Sequence, residues 1–142
     1  MTEPAPPFRH AFRVRYSEVD FQGLVYFAHY ATYCDVAIHE FFRALPYDYT
    51  AIRASSGTDF NIVRALVEYR RALRFDEPFE VEVRLGRIGR NSLTFTPALF
   101  AGAEAEPCAT AEMVWVHADQ ATMRAAPLPA PLLALLERRA RT

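Results

Sequence analysis

FAHYATYCDVAIHEFFRAL, at positions 27–45, is the stretch that decides the fold. It contains neither Pro nor Gly and supports a helix of several turns. At 3.6 residues per turn, Tyr30, Tyr33, Cys34, Ala37, Ile38, Phe41, Phe42, Ala44 and Leu45 share one broad apolar arc. Thr32, Asp35, His39 and Arg43 fall on a narrow stripe opposite. A helix that is apolar over more than half its circumference has to be wrapped by other structure rather than laid on a surface. The reading is therefore a central, largely buried helix.

The flanks supply the wrapping. Before the helix, positions 8–16 alternate Phe12, Val14 and Tyr16 with Arg13 and Arg15, the period-2 pattern of a half-buried strand. Positions 17–23 read as a turn or loop, and so do 46–57, after Pro46. Four further strands are expected at 61–73, 79–85, 92–100 and 108–117, with Pro97 demanding an edge or a bulge in the third. The turn residues at 86–91 favour a meander there. A Pro-rich linker then leads to a C-terminal helix at about 131–141, and Leu128, Leu132, Leu135 and Leu136 follow helical spacing. Positions 1–7 read as a short flexible lead into one domain over 1–142. One strand, a long helix, then several antiparallel strands define an α+β fold: a helix held by a curved, mainly antiparallel sheet of about five strands.

Composition narrows the chemistry. The 142 residues are 51% hydrophobic and 23% charged, with a net charge of −1, enough apolar material for a filled core and no overall basic footprint for nucleic acid or a membrane surface. All sixteen basic side chains are Arg, so a P-loop lysine, a Schiff-base lysine and a lysine general base are all excluded. Two Cys without CxxC spacing fit a reducing compartment. With no signal-like N-terminus and no apolar run of about 20 residues, a cytoplasmic protein is expected. His39-Glu40 begins like a zincin helix, but Arg43 stands where the second His belongs, so no metal or cofactor is expected. GxSxG and GxGxxG motifs are absent.

The chemistry concentrates at 15–35, RYSEVDFQGLVYFAHYATYCD. Asp20 precedes the helix by a few residues, with Gly23 between them allowing a tight backbone turn. Free N–H groups at a helix start polarise a carbonyl oxygen, while a nearby carboxylate attacks the carbonyl carbon or activates water. On spacing alone, Asp20 also reads as a helix cap.

This run resembles the signature of the 4-hydroxybenzoyl-CoA thioesterase family of hotdog proteins, matching it at Asp20, Gly23, Val25, Tyr26, Tyr30 and Asp35. Downstream, VEYRRALRFDEPFEVEVRLGRIGRNSLTF resembles the family's second and third strands. The resemblance implies a hotdog fold and an acyl-CoA thioesterase. In it Asp20 is the catalytic carboxylate, and the backbone N–H of Phe27 polarises the thioester carbonyl. Asp20 acts as nucleophile through a mixed anhydride or as general base. A helix start keeps a carboxylate ionised but weakens it as a base, which favours attack. Many relatives that take aliphatic acyl groups carry His where this chain has Phe27, which points to an aromatic acyl group. His29, about 200° around the helix from Phe27, is a substitute polar group or a structural His. Asp35 orders the site or contacts water, or it merely completes the polar stripe.

For the phosphates of CoA, the turn RIGRNS offers Arg87, Arg90, Asn91 and Ser92, and Arg71 belongs to a second cluster with Arg70 and Arg74. The resemblance further implies an active site formed between two subunits, hence a homodimer or homotetramer. Two rival readings are a hotdog hydratase or dehydratase and a non-catalytic module that binds acyl carriers or a protein.

Overall fold

The computed structural model describes residues 6–140. Positions 1–5 of the expected flexible lead and position 141 of the expected C-terminal helix lie outside them. In chain order the elements are β1 (Phe8–Arg13), a short 3₁₀ turn (Tyr16–Glu18), α1 (His29–Ala44), α2 (Tyr49–Ser56), β2 (Thr58–Tyr69), β3 (Pro78–Val83), β4 (Leu85–Ile88), β5 (Ser92–Phe95), β6 (Ala98–Ala101), β7 (Ala109–Asp119) and α3 (Ala130–Ala140).

The sheet has seven strands instead of about five, all antiparallel. The difference is a crease. The expected strand at 92–100 breaks at Pro97 into β5 and β6, which both pair with the same edge of β7. Its neighbour breaks alongside it at Arg84 into β3 and β4, and the Thr96 N–H donates to the Arg84 carbonyl at 2.8 Å where the two breaks meet. Pro97 has no N–H to give a ladder, and it sits at this bulge rather than on an edge. Five strand paths remain, in the order β2, β7, β5/β6, β4/β3, β1, bent around α1.

Three boundaries also differ from expectation. β1 stops at Arg13 because the chain turns through the 3₁₀ segment. The stretch 46–57 is not all loop: Asp48 Oδ1 accepts the Ala51 N–H at 3.1 Å and starts α2, and Gly57, at φ 69°, ends it. β2 starts at Thr58 and stops at Tyr69, after which the N–H groups of Arg70 and Arg71 both donate to the Cys108 carbonyl.

The helix behaves as its periodicity demands. Tyr30, Tyr33, Cys34, Ala37, Ile38, Phe41 and Phe42 are buried, while Thr32, His39 and Arg43 are exposed. Its N-terminal half packs through Tyr33 on Phe12 and Phe79, and its C-terminal half through Phe42 on Phe60, Phe95 and Trp115. Each such buried large side chain contributes about 1.5–3 kcal/mol of transfer free energy. Two buried polar groups are matched: Tyr30 Oη accepts the Leu73 N–H at 2.9 Å, and Glu82 is clamped by Arg9 and Arg84. No helix among the described residues is long and apolar enough to cross a membrane.

Candidate active site

The loop before α1 is a tight reversal closed by backbone bonds. Val19 bridges Val25, the Asp20 N–H donates to the Leu24 carbonyl at 2.7 Å, and the Gly23 N–H donates to the Asp20 carbonyl at 3.0 Å. Gly23 takes φ 77°, a conformation that glycine adopts without steric cost. Within this reversal Asp20 Oδ1 accepts the N–H groups of Gln22 at 2.8 Å and Leu24 at 3.3 Å. The loop thus pins one carboxylate oxygen, and Oδ2 has no partner among the described residues.

Asp20 does not cap α1. The N-cap position is Ala28, which makes no side-chain capping bond. The N–H groups of Phe27 and Ala28 find no acceptor among the described residues, and both residues are exposed. Open donors at a helix start form an anion-binding end, with about half a positive charge from the macrodipole. The carbonyl of Phe27 is held by the Tyr69 phenol, which donates to it at 2.9 Å across 42 positions of sequence.

Asp20, Phe27, Tyr30, Tyr69, Arg70 and Arg71 share the wall of one cavity of ≈ 380 Å³. From sequence, Arg70 stands only as a member of the cluster with Arg71 and Arg74, and Tyr69 is not singled out at all. The signal for Tyr69 is its place on the inward face of β2, where its ring meets Tyr30 edge-on at 4.9 Å. Arg71 is already engaged: its guanidinium bonds Glu77 and reaches Glu104 at 3.2 Å, and the Glu77 hydrogen bond holds the guanidinium well above its ordinary range. Arg70 and Arg74 form no ion pair among the described residues. His29 is half-buried against Tyr26, with ring centroids 5.8 Å apart, and lies off this cavity wall.

The other expected site residues lie at the opposite end of the sheet. β7 starts at Ala109 beside Tyr69 and ends at Asp119 beside Thr58. Ser92 pairs with Val116, so the RIGRNS turn stands roughly 23 Å along β7 from Tyr69, at about 3.3 Å per residue. There Arg87 and Arg90 are exposed and form no ion pair among the described residues, while Asn91 carries a buried side-chain oxygen without a partner. Asp35 lies six residues into α1, about 9 Å along its axis from His29. It lines a second cavity, of ≈ 730 Å³, with His39, Phe60, Asn61, Ile62 and Trp115. His39 donates from Nδ1 to the Asp35 carbonyl at 2.8 Å, and its ring lies 5.2 Å from Trp115. One chain therefore brings Asp20, Gly23, Phe27 and Arg71 together but separates them from Asp35, Arg87, Arg90, Asn91 and Ser92. Among the described residues no three His, Cys, Asp or Glu side chains converge as a metal site.

The fold agrees with a family assignment. The model of the Thioesterase-like superfamily matches residues 14–136, and the chain belongs to that superfamily. It is 33% identical over 94 residues to a putative esterase of Aquifex aeolicus, a match covering 66% of this chain and 73% of that one. It is 29% identical over 127 residues to the acyl-CoA thioester hydrolase YbgC of Escherichia coli, a match covering 89% and 93%. A solved hypothetical protein of Aquifex aeolicus, AQ1494, superposes with a TM-score of 0.82 at 28% identity, covering 92% and 99%. The α+β architecture is the hotdog fold.

Proposed function

We propose that this enzyme hydrolyses an aromatic acyl-CoA ester with Asp20 as the nucleophile. The coarser activity is that of its relatives: it is an acyl-CoA thioester hydrolase. The observation that carries the finer reading is the division of labour within the Asp20 carboxylate. Two backbone N–H groups hold Oδ1, Oδ2 has no partner among the described residues, and Asp20 lines the same cavity as Phe27.

In this mechanism the thioester oxygen lies against the open N–H groups of Phe27 and Ala28, which stabilise the charge it acquires. Asp20 Oδ2 attacks the carbonyl carbon, the C–S bond breaks, and CoA leaves as a thiolate that takes a proton from solvent. Water then cleaves the mixed anhydride, releasing the acid and restoring the carboxylate. Tyr69 is a positioning residue that fixes the turn carrying these donors. The bulk of Phe27 supports a flat aromatic acyl group.

The site is completed by a second copy. The outer edge of β2 pairs with no strand among the described residues, and Ile62, Val63, Leu66 and Tyr69 are exposed there. An unpaired apolar edge is a template for another strand. For two antiparallel copies of β2 related by a two-fold axis, facing residues share a side of the sheet only in alternate registers. Centred on Leu66, the pairing sets Arg64 against Glu68 of the second copy, twice over. Shifted to Val67 it opposes Arg64 to Arg70, and shifted to Ala65 it opposes Arg64 to Leu66. The Leu66 register is the complementary one. It brings the RIGRNS end of one copy toward the Asp20 end of the other, where Arg87, Arg90, Asn91 and Ser92 meet the nucleotide of CoA. A homodimer is the minimal active unit, and two such dimers form a homotetramer.

The test is free-thiol release from benzoyl, hydroxybenzoyl, phenylacetyl, short-chain and long-chain acyl-CoA esters, with wild type and Asp20→Asn compared. Expected are a preference for aromatic esters and a fall of at least about 100-fold in the variant, with circular dichroism and oligomeric state unchanged. Near-normal turnover by Asp20→Asn removes this residue from the mechanism.

A further inference from the structure

Three consecutive residues, Tyr69, Arg70 and Arg71, line the cavity that holds Asp20. A regular strand cannot do this, because successive side chains point to opposite faces of the sheet. The strand is not regular here. Tyr69 pairs with Ala109, and the next two N–H groups, of Arg70 and Arg71, donate to the one carbonyl of Cys108 at 2.9 and 3.0 Å. Two residues set against one make a β-bulge, which turns a side chain out of the alternation. Without the bulge, Arg70 would stand on the outer face with Arg64, Leu66 and Glu68, which pair with the half-buried side of β7, away from Asp20.

The two guanidiniums are in different states. Arg71 is taken up by the protein itself: it bonds Glu77 and reaches Glu104 at 3.2 Å. The Arg70 side chain makes no hydrogen bond or ion pair among the described residues. It does not close onto Asp20 either, whose Oδ1 is held by the N–H groups of Gln22 and Leu24. Leu24, Val25, Phe27 and Tyr30 make the rest of the wall largely apolar. A solvated Arg at a strand end needs no partner, but one on the wall of a reaction cavity loses its water when substrate enters, and an uncompensated charge is then costly.

The chemistry of the substrate limits what can compensate it. The phosphates of CoA lie at the far end of the pantetheine arm, and a cavity of ≈ 380 Å³ that already holds the thioester carbon beside Asp20 has no room for that length. Next to the sulfur the arm carries amides and no charge. The anion that reaches Arg70 therefore belongs to the acyl group. A guanidinium presents a planar fork of donors that matches a carboxylate in two parallel hydrogen bonds.

We propose that Arg70 is the specificity residue of the Asp20 cavity, and that the aromatic acyl group it selects carries a carboxylate on its ring. The proposal rests on the hydrolase reading above. Asp20 Oδ2 meets the thioester carbon, and Arg70 neutralises the ring carboxylate that Asp20 alone would repel. A neutral ring leaves the guanidinium dry and unpaired, and a cationic ring adds a like charge. Selection comes from what the unpaired cation rejects as much as from what it binds.

The test compares benzoyl-, 3-carboxybenzoyl- and 4-carboxybenzoyl-CoA with the matching 3- and 4-carbamoylbenzoyl esters, which keep the shape and lose the charge. Free-thiol release gives kcat/KM for wild type, Arg70→Gln and Arg70→Lys. Arg70 is exposed, so neither substitution removes a buried contact. For wild type, at least one carboxylate isomer is expected to exceed its carbamoyl counterpart at least about 10-fold. The ratio is expected to fall to near one in Arg70→Gln and to recover in part in Arg70→Lys, which keeps the charge but not the fork. A wild-type ratio near one overturns the proposal. So does a loss in Arg70→Gln that leaves the ratio unchanged: a higher KM with every ester assigns Arg70 to CoA, and a lower kcat with every ester assigns it to the departing thiolate.

Failure of the hydrolase reading looks different. Folded wild type that releases no thiol from any ester overturns that reading. Calorimetric titration of wild type and Arg70→Gln with free benzene-1,3-dicarboxylate and benzene-1,4-dicarboxylate then decides the role of Arg70. Binding that the variant loses keeps the role, and equal binding or none overturns it.

Discussion

The Tyr69 phenol donates to the carbonyl of Phe27 at 2.9 Å, and this bond joins the end of β2 to the turn that opens α1. Strand and helix also meet here through the edge-on contact of Tyr69 with Tyr30. The donors of Phe27 and Ala28 are aimed by a side chain that lies on the edge strand. Tyr69→Phe keeps the ring and deletes the bond. It is expected to lower kcat about 10-fold with little change in KM, since the donors matter most as charge develops on the oxygen. An unchanged kcat would show that the turn needs no such tether.

The β2 register is tested by exchanging its charges. Arg64→Glu places two carboxylates opposite each other at both ends of the interface and is expected to raise the dimer dissociation constant at least about 10-fold, roughly 1.4 kcal/mol. Arg64→Glu combined with Glu68→Arg restores the pairing. Sedimentation equilibrium of the three proteins measures this, and a double variant no tighter than the single one rules out the Leu66 register.

If Arg90 holds a phosphate of CoA, Arg90→Ala raises KM for CoA esters and spares a thioester that lacks the nucleotide. Steady-state kinetics on both substrates make the comparison. Equal effects on the two would assign Arg90 to the hairpin alone.

Acid stability follows from two carboxylates. For Glu77, the hydrogen bond from Arg71 holds the carboxyl below its ordinary range. For Glu82, burial pushes the carboxyl up, but the hydrogen bonds from Arg84 and Arg9 outweigh it and the net direction is down. A carboxyl depressed on folding adds stability above its unfolded pKa of about 4.3, and that contribution disappears as pH falls through the lower folded value. Urea midpoints are expected to be level in this contribution above about pH 5 and to fall below about pH 4. Glu82→Gln is expected to be less stable at neutral pH, with the gap to wild type closing in acid. A gap that stays constant would place the contribution outside ionisation.

The long helix was legible because its arc repeats without interruption from Tyr30 to Leu45, and only Ala44, at the fraying end, is exposed against expectation. α2 was missed although its start and stop signals, Asp48 and Gly57, were present, since eight residues without a buried side chain give no periodicity to read. The crease was half-legible: Pro97 marked one break, but nothing local marks Arg84, which breaks because its neighbour does. In the site, the Asp20 loop was readable as a contiguous motif. Tyr69 was not, because its partner is 42 positions away and only the pairing of β2 with β7 brings them together. The pairing of β7 with β2 and β5 also sends the RIGRNS turn to the far end of the sheet, a separation that spacing along the chain does not encode.

Ala28 at the start of α1 is a concession. A Ser, Asp or Asn at a helix start is worth about 1 kcal/mol when an extended backbone lets it accept an N–H two or three positions on. Ala28 offers neither that side chain nor that backbone, which is already helical at φ −68° and ψ −20°. The chain forgoes this reinforcement at an end of its longest helix that stays open to solvent.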